Sequence, residues 1–232
     1  MIQCVEFSKN YDKNNIINNS NFEFKKSRIS FLMGPNGSGK TTLIKCLMGM
    51  EHYSGKITFN EKSINDVREK CLVIWDDCPF YSNLSGLNNL LIFSEQRKTK
   101  DEIIKISQNF IDESLLKKKV KKYSYGQKKK LALALVDILE PEFLIMDEIS
   151  NGLDYDSIRK VNTYIKNWSK TKVVLLTGHQ FGFYNKLIDD LFIIKNKEIH
   201  LYKENFTNYD LTLEDIYDEE IHESRNHIWP KI

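Results

Sequence analysis

At 232 residues, with 41% hydrophobic and 12% aromatic content, the chain can bury a substantial core and is too apolar to be disordered. Its 34 basic and 32 acidic residues leave a formal charge of +2, which excludes a global electrostatic pull toward nucleic acid. The opening Met1-Ile2-Gln3-Cys4-Val5-Glu6 lacks the basic-then-apolar order of a signal peptide, and runs such as Phe143 to Met146 are far too short to span a bilayer. A cytoplasmic protein is therefore expected, with any path across a membrane supplied by another chain.

In chain order, Ile2 to Phe7, Phe22 to Phe24 and Gly55 to Phe59 read as an antiparallel patch. Arg28 to Met33, Cys71 to Ile74, Phe143 to Met146 and Lys172 to Thr177 are near-continuous apolar runs, as expected of buried, mostly parallel strands. From Ser82 to Tyr123 the strand signals stop. Leu87 to Phe93, then Ile103, Ile104, Ile106, Phe110, Ile111, Leu115 and Leu116, recur at helical spacing and predict a helical subdomain over about residues 82–123. Leu191 to Ile194 and Glu198 to Tyr202 predict a hairpin through Lys195-Asn196-Lys197. The C-terminal tail spans about residues 203–232, and its stretch Leu211 to Trp229 is predicted to start as a helix. The pattern is α/β, a single domain over 1–232 with a mostly parallel sheet, an N-terminal antiparallel β patch and a helical insertion. Cys4, Cys46, Cys71 and Cys78 lack metal-type spacing and read as reduced core thiols.

Gly34-Pro35-Asn36-Gly37-Ser38-Gly39-Lys40-Thr41 satisfies G-x-x-x-x-G-K-[ST], with a strand before it and the periodic Leu43, Ile44, Leu47 and Met48 after it. Glycines let successive N–H groups turn inward toward phosphate oxygens, and the following helix adds its positive N-terminal dipole. Lys40 can reach the β- and γ-phosphates of ATP and Thr41 can ligate Mg²⁺, with Pro35, Asn36, Ser38 and Thr42 completing the binding stretch. Chance produces such a match in roughly one chain in a hundred of this length.

Phe143-Leu144-Ile145-Met146 ends in Asp147-Glu148. Ligands of a parallel sheet lie at the carboxyl ends of its strands, so Asp147 is placed to hold Mg²⁺ through its water shell and Glu148 to orient or deprotonate the attacking water. Alone, the pair would read equally well as an acidic cap on the next helix. Behind a phosphate loop, it predicts ATP hydrolysis.

Three further segments resemble the ATP-binding subunits of ABC transporters, and the resemblance runs from about Ile2 to Tyr202. Tyr123-Ser124-Tyr125-Gly126-Gln127 resembles the family signature Leu-Ser-Gly-Gly-Gln. The resemblance implies that Ser124, Gly126 and Gln127 close over ATP held by a second ATP-binding subunit, identical or homologous. Asn151-Gly152-Leu153-Asp154 resembles the D-loop of the dimer interface, and Thr177-Gly178-His179 the switch-histidine segment, with His179 hydrogen-bonded to the γ-phosphate. Tyr11 falls where the family stacks the adenine, and Asp76 where most members carry a Gln that touches Mg²⁺. Asp76, Tyr125 (in place of a glycine) and Ile149 (in place of a proline) depart from the pattern. Leu213-Glu214-Asp215-Ile216-Tyr217 resembles a segment of exporter-type subunits.

The family implies transmembrane permease subunits on separate chains, a peripheral location on the inner face of the cell membrane, and docking of a membrane helix between Asp76 and Phe93, beside Phe80, Tyr81, Leu84, Leu87, Leu90 and Leu91. Lys117, Lys118, Lys119, Lys121, Lys122, Lys128, Lys129 and Lys130 are expected to form a solvated face, with no nucleic acid partner. Two other readings are an ABC ATPase acting on the ribosome or DNA, and an ATP-dependent dimerisation module. The transported substrate leaves no trace in the sequence.

Overall fold

The computed structural model describes residues 1–95 and 97–222. Strands β1 (Ile2–Tyr11) and β2 (Asn14–Phe24) form a long antiparallel hairpin, Ile2 pairing Phe24 and Tyr11 pairing Asn14. This hairpin outruns its apolar residues. Its outer half is rich in Asn, yet Ile17 is fully buried in the core and Lys9 is buried with its ammonium on Glu51 and the His52 carbonyl. Asn14, Asn18 and Asn19 stay exposed and are held in the strand by backbone pairing.

Next come β3 (Ile29–Met33), α1 (Lys40–Leu47), β4 (Ser54–Phe59), the single turn α2 (Ile64–Val67) and β5 (Cys71–Ile74). β4 completes the antiparallel sheet, in the order β2-β1-β4. A helical stretch follows: α3 (Gly86–Phe93), α4 (Lys100–Ser107), α5 (Glu113–Leu116) and the long α6 (Tyr125–Leu139). The chain then forms β6 (Phe143–Asp147), α7 (Tyr155–Ser169), β7 (Val173–Thr177), the short α8 (Phe181–Tyr184), the hairpin β8 (Asp190–Lys195) to β9 (Glu198–Glu204), and α9 (Leu213–Tyr217). Of the expected tail helix, only the part before residue 223 lies within the described residues.

The second sheet runs β5-β6-β7-β3-β8-β9, parallel except for the last pair. Every residue of β3, β6 and β7 is buried, which explains their unbroken apolar runs. Parallel order carries the carboxyl ends of these three central strands to one edge, where the loops toward α1, α7 and α8 meet.

Helix α6 serves two cores. Ala132, Leu133 and Val136 pack with the parallel sheet, while Leu131, Ala134, Leu135 and Ile138 pack with Leu90, Ile103 and Leu116 of the preceding helices. The same helix therefore joins the helical stretch to the parallel sheet. The lysine run is not uniformly solvated: Lys129 is fully buried, 0% exposed. Three cysteines are buried and Cys71 is half-buried. Burial pushes the thiols of Cys46, Cys71 and Cys78 up to about 11, 12 and 11, so they are inert near neutrality. Among the described residues, no helix is long and apolar enough to cross a membrane.

Candidate functional site

The loops at this sheet edge enclose an open cavity of about 670 Å³. Asn36, Gly37, Gly39, Lys40, Thr41 and Thr42 form its floor, Asp147 and Glu148 one wall, and Asp76, Asp77 and His179 further sides. Gly39 must be glycine: its φ is +109°, and a Cβ there would come within 2.8 Å of the Ile16 side chain.

Within this frame, Lys40 Nζ donates to the carbonyls of Gly34 (2.6 Å) and Pro35 (3.2 Å) and lies 3.1 Å from His179 Nε2. Burial lowers the Lys40 pKa, opposed by the carboxylates of Glu148 and Asp147. Thr41 Oγ1 donates to Asp147 Oδ2 at 3.2 Å, and the Thr177 hydroxyl donates to the other Asp147 oxygen. Glu148 stands in the left-handed region with φ +53°, strain that turns its carboxylate into the cavity beside His179, whose backbone N–H donates to Oε2 at 3.2 Å. Burial, then the Asp147 charge, raises the Glu148 pKa. Burial, then Lys40, lowers that of His179.

The residues fit a nucleotide and its metal. Ser38 Oγ is buried without a hydrogen-bond partner, an acceptor-seeking hydroxyl inside the loop that a phosphate oxygen would satisfy. Thr41 and Asp147 present hard oxygen donors side by side, the kind Mg²⁺ takes alongside water and phosphate.

Other expected site residues stand apart from this cavity. Tyr11 ends β1 with its ring under the Lys9 ammonium, 4.2 Å from the centroid, and is not in the cavity wall. Ile16 of β2, Met50 and Trp75 supply the apolar surface instead. Trp75 adjoins Asp76 in the segment that resembles the family's Gln-bearing loop, whereas no sequence motif marked Ile16 or Met50. Ser124, Gly126 and Gln127 also lie outside the wall, at the start of α6, where Ser124 and Gln127 form a reciprocal capping box. Asp154 caps α7 by accepting from the Ser157 N–H at 2.8 Å, and its carboxylate is 3.9 Å from Lys130. Gly126 and Gly152 touch: a Cβ on Gly126 would meet the Gly152 carbonyl at 2.5 Å, and one on Gly152 would meet the Tyr125 ring at 2.2 Å.

Residues 17–151 match the ABC transporter family over more than half the chain. The chain belongs to that family. This ABC subunit is 32% identical over 213 residues to the lantibiotic transport ATP-binding protein SrtF of Streptococcus pyogenes, covering 88% of this chain and 91% of the relative. It is 30% identical over 238 residues to the bacitracin transport ATP-binding protein BcrA of Bacillus licheniformis, covering 93% and 76%. Solved structures share its fold. They include an ATP-binding subunit of an ABC transporter (TM-score 0.79, 21% identity, 98% and 99% covered) and a dimeric ATP-binding cassette in a post-hydrolysis state with ADP and Pi (TM-score 0.76, 20% identity, 90% and 100% covered). As a member of the family, the subunit binds and hydrolyses ATP, and the α/β fold expected from sequence is the fold found.

Proposed function

We propose that this chain is the energy subunit of a transporter whose membrane path is formed by separate permease chains, and that it works as a dimer of ATP-binding subunits, identical or homologous, on the inner face of the cell membrane. The observation that carries this reading is the meeting of Lys40, Thr41, Asp147, Glu148 and His179 at one cavity above a loop with an unpaired buried hydroxyl.

In this reading the phosphate loop, residues Gly34 to Thr42, binds the phosphates of ATP. Thr41 and Asp147 hold Mg²⁺, which supplies charge neutralisation to the phosphates. Glu148 accepts a proton from the attacking water, and His179 orients the γ-phosphate. Ser124, Gly126, Gln127 and Asp154 face the nucleotide of the opposite subunit, consistent with their position outside this chain's own cavity. The names of SrtF and BcrA support transport of a peptide antibiotic over action on the ribosome or DNA or a purely regulatory role. Coexpression with candidate permease chains, followed by detergent extraction and an assay of ATP turnover with and without lantibiotic-type peptides, tests the reading. Failure to hydrolyse ATP in any such complex overturns it.

A further inference from the structure

Fully buried Lys129 lies under the catalytic turn and belongs to none of the motifs above. Its Nζ donates to the carbonyl of Glu148 at 3.1 Å and to that of Trp75 at 3.4 Å, and pairs with Asp76 Oδ1 at 3.3 Å. Asp76 Oδ1 also accepts from the Tyr125 hydroxyl and from Asn151 Nδ2 at 3.3 Å. The Tyr125 ring lies 5.4 Å from the ammonium and rests on the Gly152 backbone. A single carboxylate oxygen thus gathers the start of α6, the loop after β5 and the loop after β6. Burial would raise the Asp76 pKa, but the Tyr125 hydroxyl, then Lys129 and Asn151, bring it below the ordinary value, so the carboxylate is ionised.

An ammonium removed from water requires a counter-charge, and carbonyls supply only partial charge. Asp76 is the carboxylate within salt-bridge reach of Lys129. We propose that Lys129 is a positioning residue that claims Asp76 as its ion-pair partner in place of a Mg²⁺-ligand role, and that through the Glu148 carbonyl it fixes the turn that aims the Glu148 side chain. Tyr125, which departs from the signature, is then the tie that couples the start of α6 to this pair. Its phenol is spent within its own subunit.

The proposal deepens the ATP reading and rests on it for its catalytic half, whereas the pairing itself is testable without nucleotide. The two partners differ in exposure, 0% for the Lys129 side chain and 47% for Asp76, so the single substitutions are unequal. Asp76→Gln strands a buried cation, whereas Lys129→Gln leaves a carboxylate half in water. In thermal unfolding of the nucleotide-free chain, Asp76→Gln is expected to lower the midpoint by roughly 5–10 °C, Lys129→Gln by less, and the double variant to regain at least half of the Asp76→Gln loss.

Two measurements carry the functional half. Mn²⁺ affinity in the ATP complex, read by electron paramagnetic resonance, is expected within about twofold of wild type for Asp76→Asn and at least about tenfold weaker for Asp147→Asn. Lys129→Gln is expected to lower kcat about tenfold or more with KM for ATP unchanged, because a misaimed Glu148 affects only the chemical step. Additive thermal losses in the double variant, or an Asp76→Asn defect in Mn²⁺ binding equal to that of Asp147→Asn, overturn the proposal. A wild-type chain that binds no nucleotide would remove the ATP reading alone, since the unfolding cycle still reports the pair. Should Asp76→Gln fail to fold, rescue of soluble protein by the added Lys129→Gln supports the pairing, and failure of that rescue counts against it.

Discussion

Nζ of Lys40 and Nε2 of His179 lie 3.1 Å apart, joining the phosphate loop to the segment after β7. Lysine can only donate here, so the imidazole presents its lone pair at Nε2 and carries its proton on Nδ1. The contact holds the neutral histidine in place beside Glu148, whose Oε1 is 3.5 Å from the same nitrogen. An imidazole that must stay neutral in the fold has a lowered pKa, caused by burial and then by Lys40. The unfolded chain therefore takes up this proton first. Stability from this group is fully present above the ordinary histidine value of about 6.5 and declines as pH falls below it.

The first prediction follows from that pair. In an NMR titration of the nucleotide-free protein, the His179 ring is expected to titrate below its ordinary value, and Lys40→Met to move it upward. A His179 pKa at or above the ordinary value in wild type would contradict the geometry. The same lysine is expected to dominate nucleotide affinity. Lys40→Ala should weaken ATP binding about 10- to 100-fold by calorimetry, since a charged hydrogen bond is worth about 1.5–3 kcal/mol.

Glu148→Gln separates binding from chemistry. ATP affinity should change little, while turnover falls by about 100-fold or more, the usual contribution of a positioned general base. Because burial and Asp147 raise the Glu148 pKa, wild-type turnover should decline with falling pH at a value above the ordinary carboxylate range, and Glu148→Gln should lack that limb. The raised pKa also means that the charge costs stability above the ordinary carboxylate value. Glu148→Gln is therefore expected to melt higher than wild type at neutral pH. Near-normal turnover in this variant would remove Glu148 from the role of base.

Much of this site was legible because ligand geometry restricts its residues. A loop that must cup phosphate oxygens needs glycines at fixed offsets, and a strand buried on both faces has no place for a charge before its end at Asp147. The outer half of the β1–β2 hairpin was illegible, since between Asn14 and Asn21 only Ile16 and Ile17 carry an apolar signal, too little to mark a strand, although Ile17 is buried in the core and pairing with β1 extends the rest. Tyr11 is legible only from its order along the chain; at the end of β1 its ring lies under the Lys9 ammonium, and the apolar residues lining the cavity are Ile16, Met50 and Trp75. Lys129 was misread because its charge belongs with a surface run. Its spacing to Ala132, Leu133 and Val136, three, four and seven residues on, is that of the buried stripe of α6 and was the signal available.

Assembly supplies another prediction. With Ser124 and Gln127 outside their own cavity, each nucleotide is expected to need a second subunit. Glu148→Gln with ATP and Mg²⁺ should double in mass by light scattering, and ADP should reverse the change. If the variant stays monomeric at high protein concentration, homodimer formation fails, and mixing with a homologous ATP subunit from the same cell should then restore the shift.

The last prediction concerns the surface proposed to meet the membrane chains. Of the six apolar residues beside the expected docking site, some are expected to serve the helical subdomain's own core and the rest a shallow groove. Leu87 and Leu90 are buried in that core and Phe80 is half-buried, edge-on to Phe93 at 5.7 Å. What remains outward is Tyr81, 57% exposed, with Ile92 and Phe93. Tyr81 is held firmly. Buried Asn89 accepts from its backbone N–H at 2.8 Å and donates to its carbonyl at 3.1 Å, so the loop presents the ring at little entropic cost. A fixed aromatic patch of this kind suits the end of an amphipathic helix from a permease chain. Tyr81→Ser is expected to change the melting midpoint little and Phe93→Ser to lower it modestly through the lost ring contact with Phe80. Both are expected to leave the ATP turnover of the isolated subunit intact while reducing copurification with the permease chains. Phe80→Ala should instead destabilise the helical core by about 1–3 kcal/mol in urea unfolding, less than the loss for a fully buried ring because Phe80 is only half-buried. If Tyr81→Ser and Phe93→Ser copurify as wild type does, the membrane subunits dock on another face.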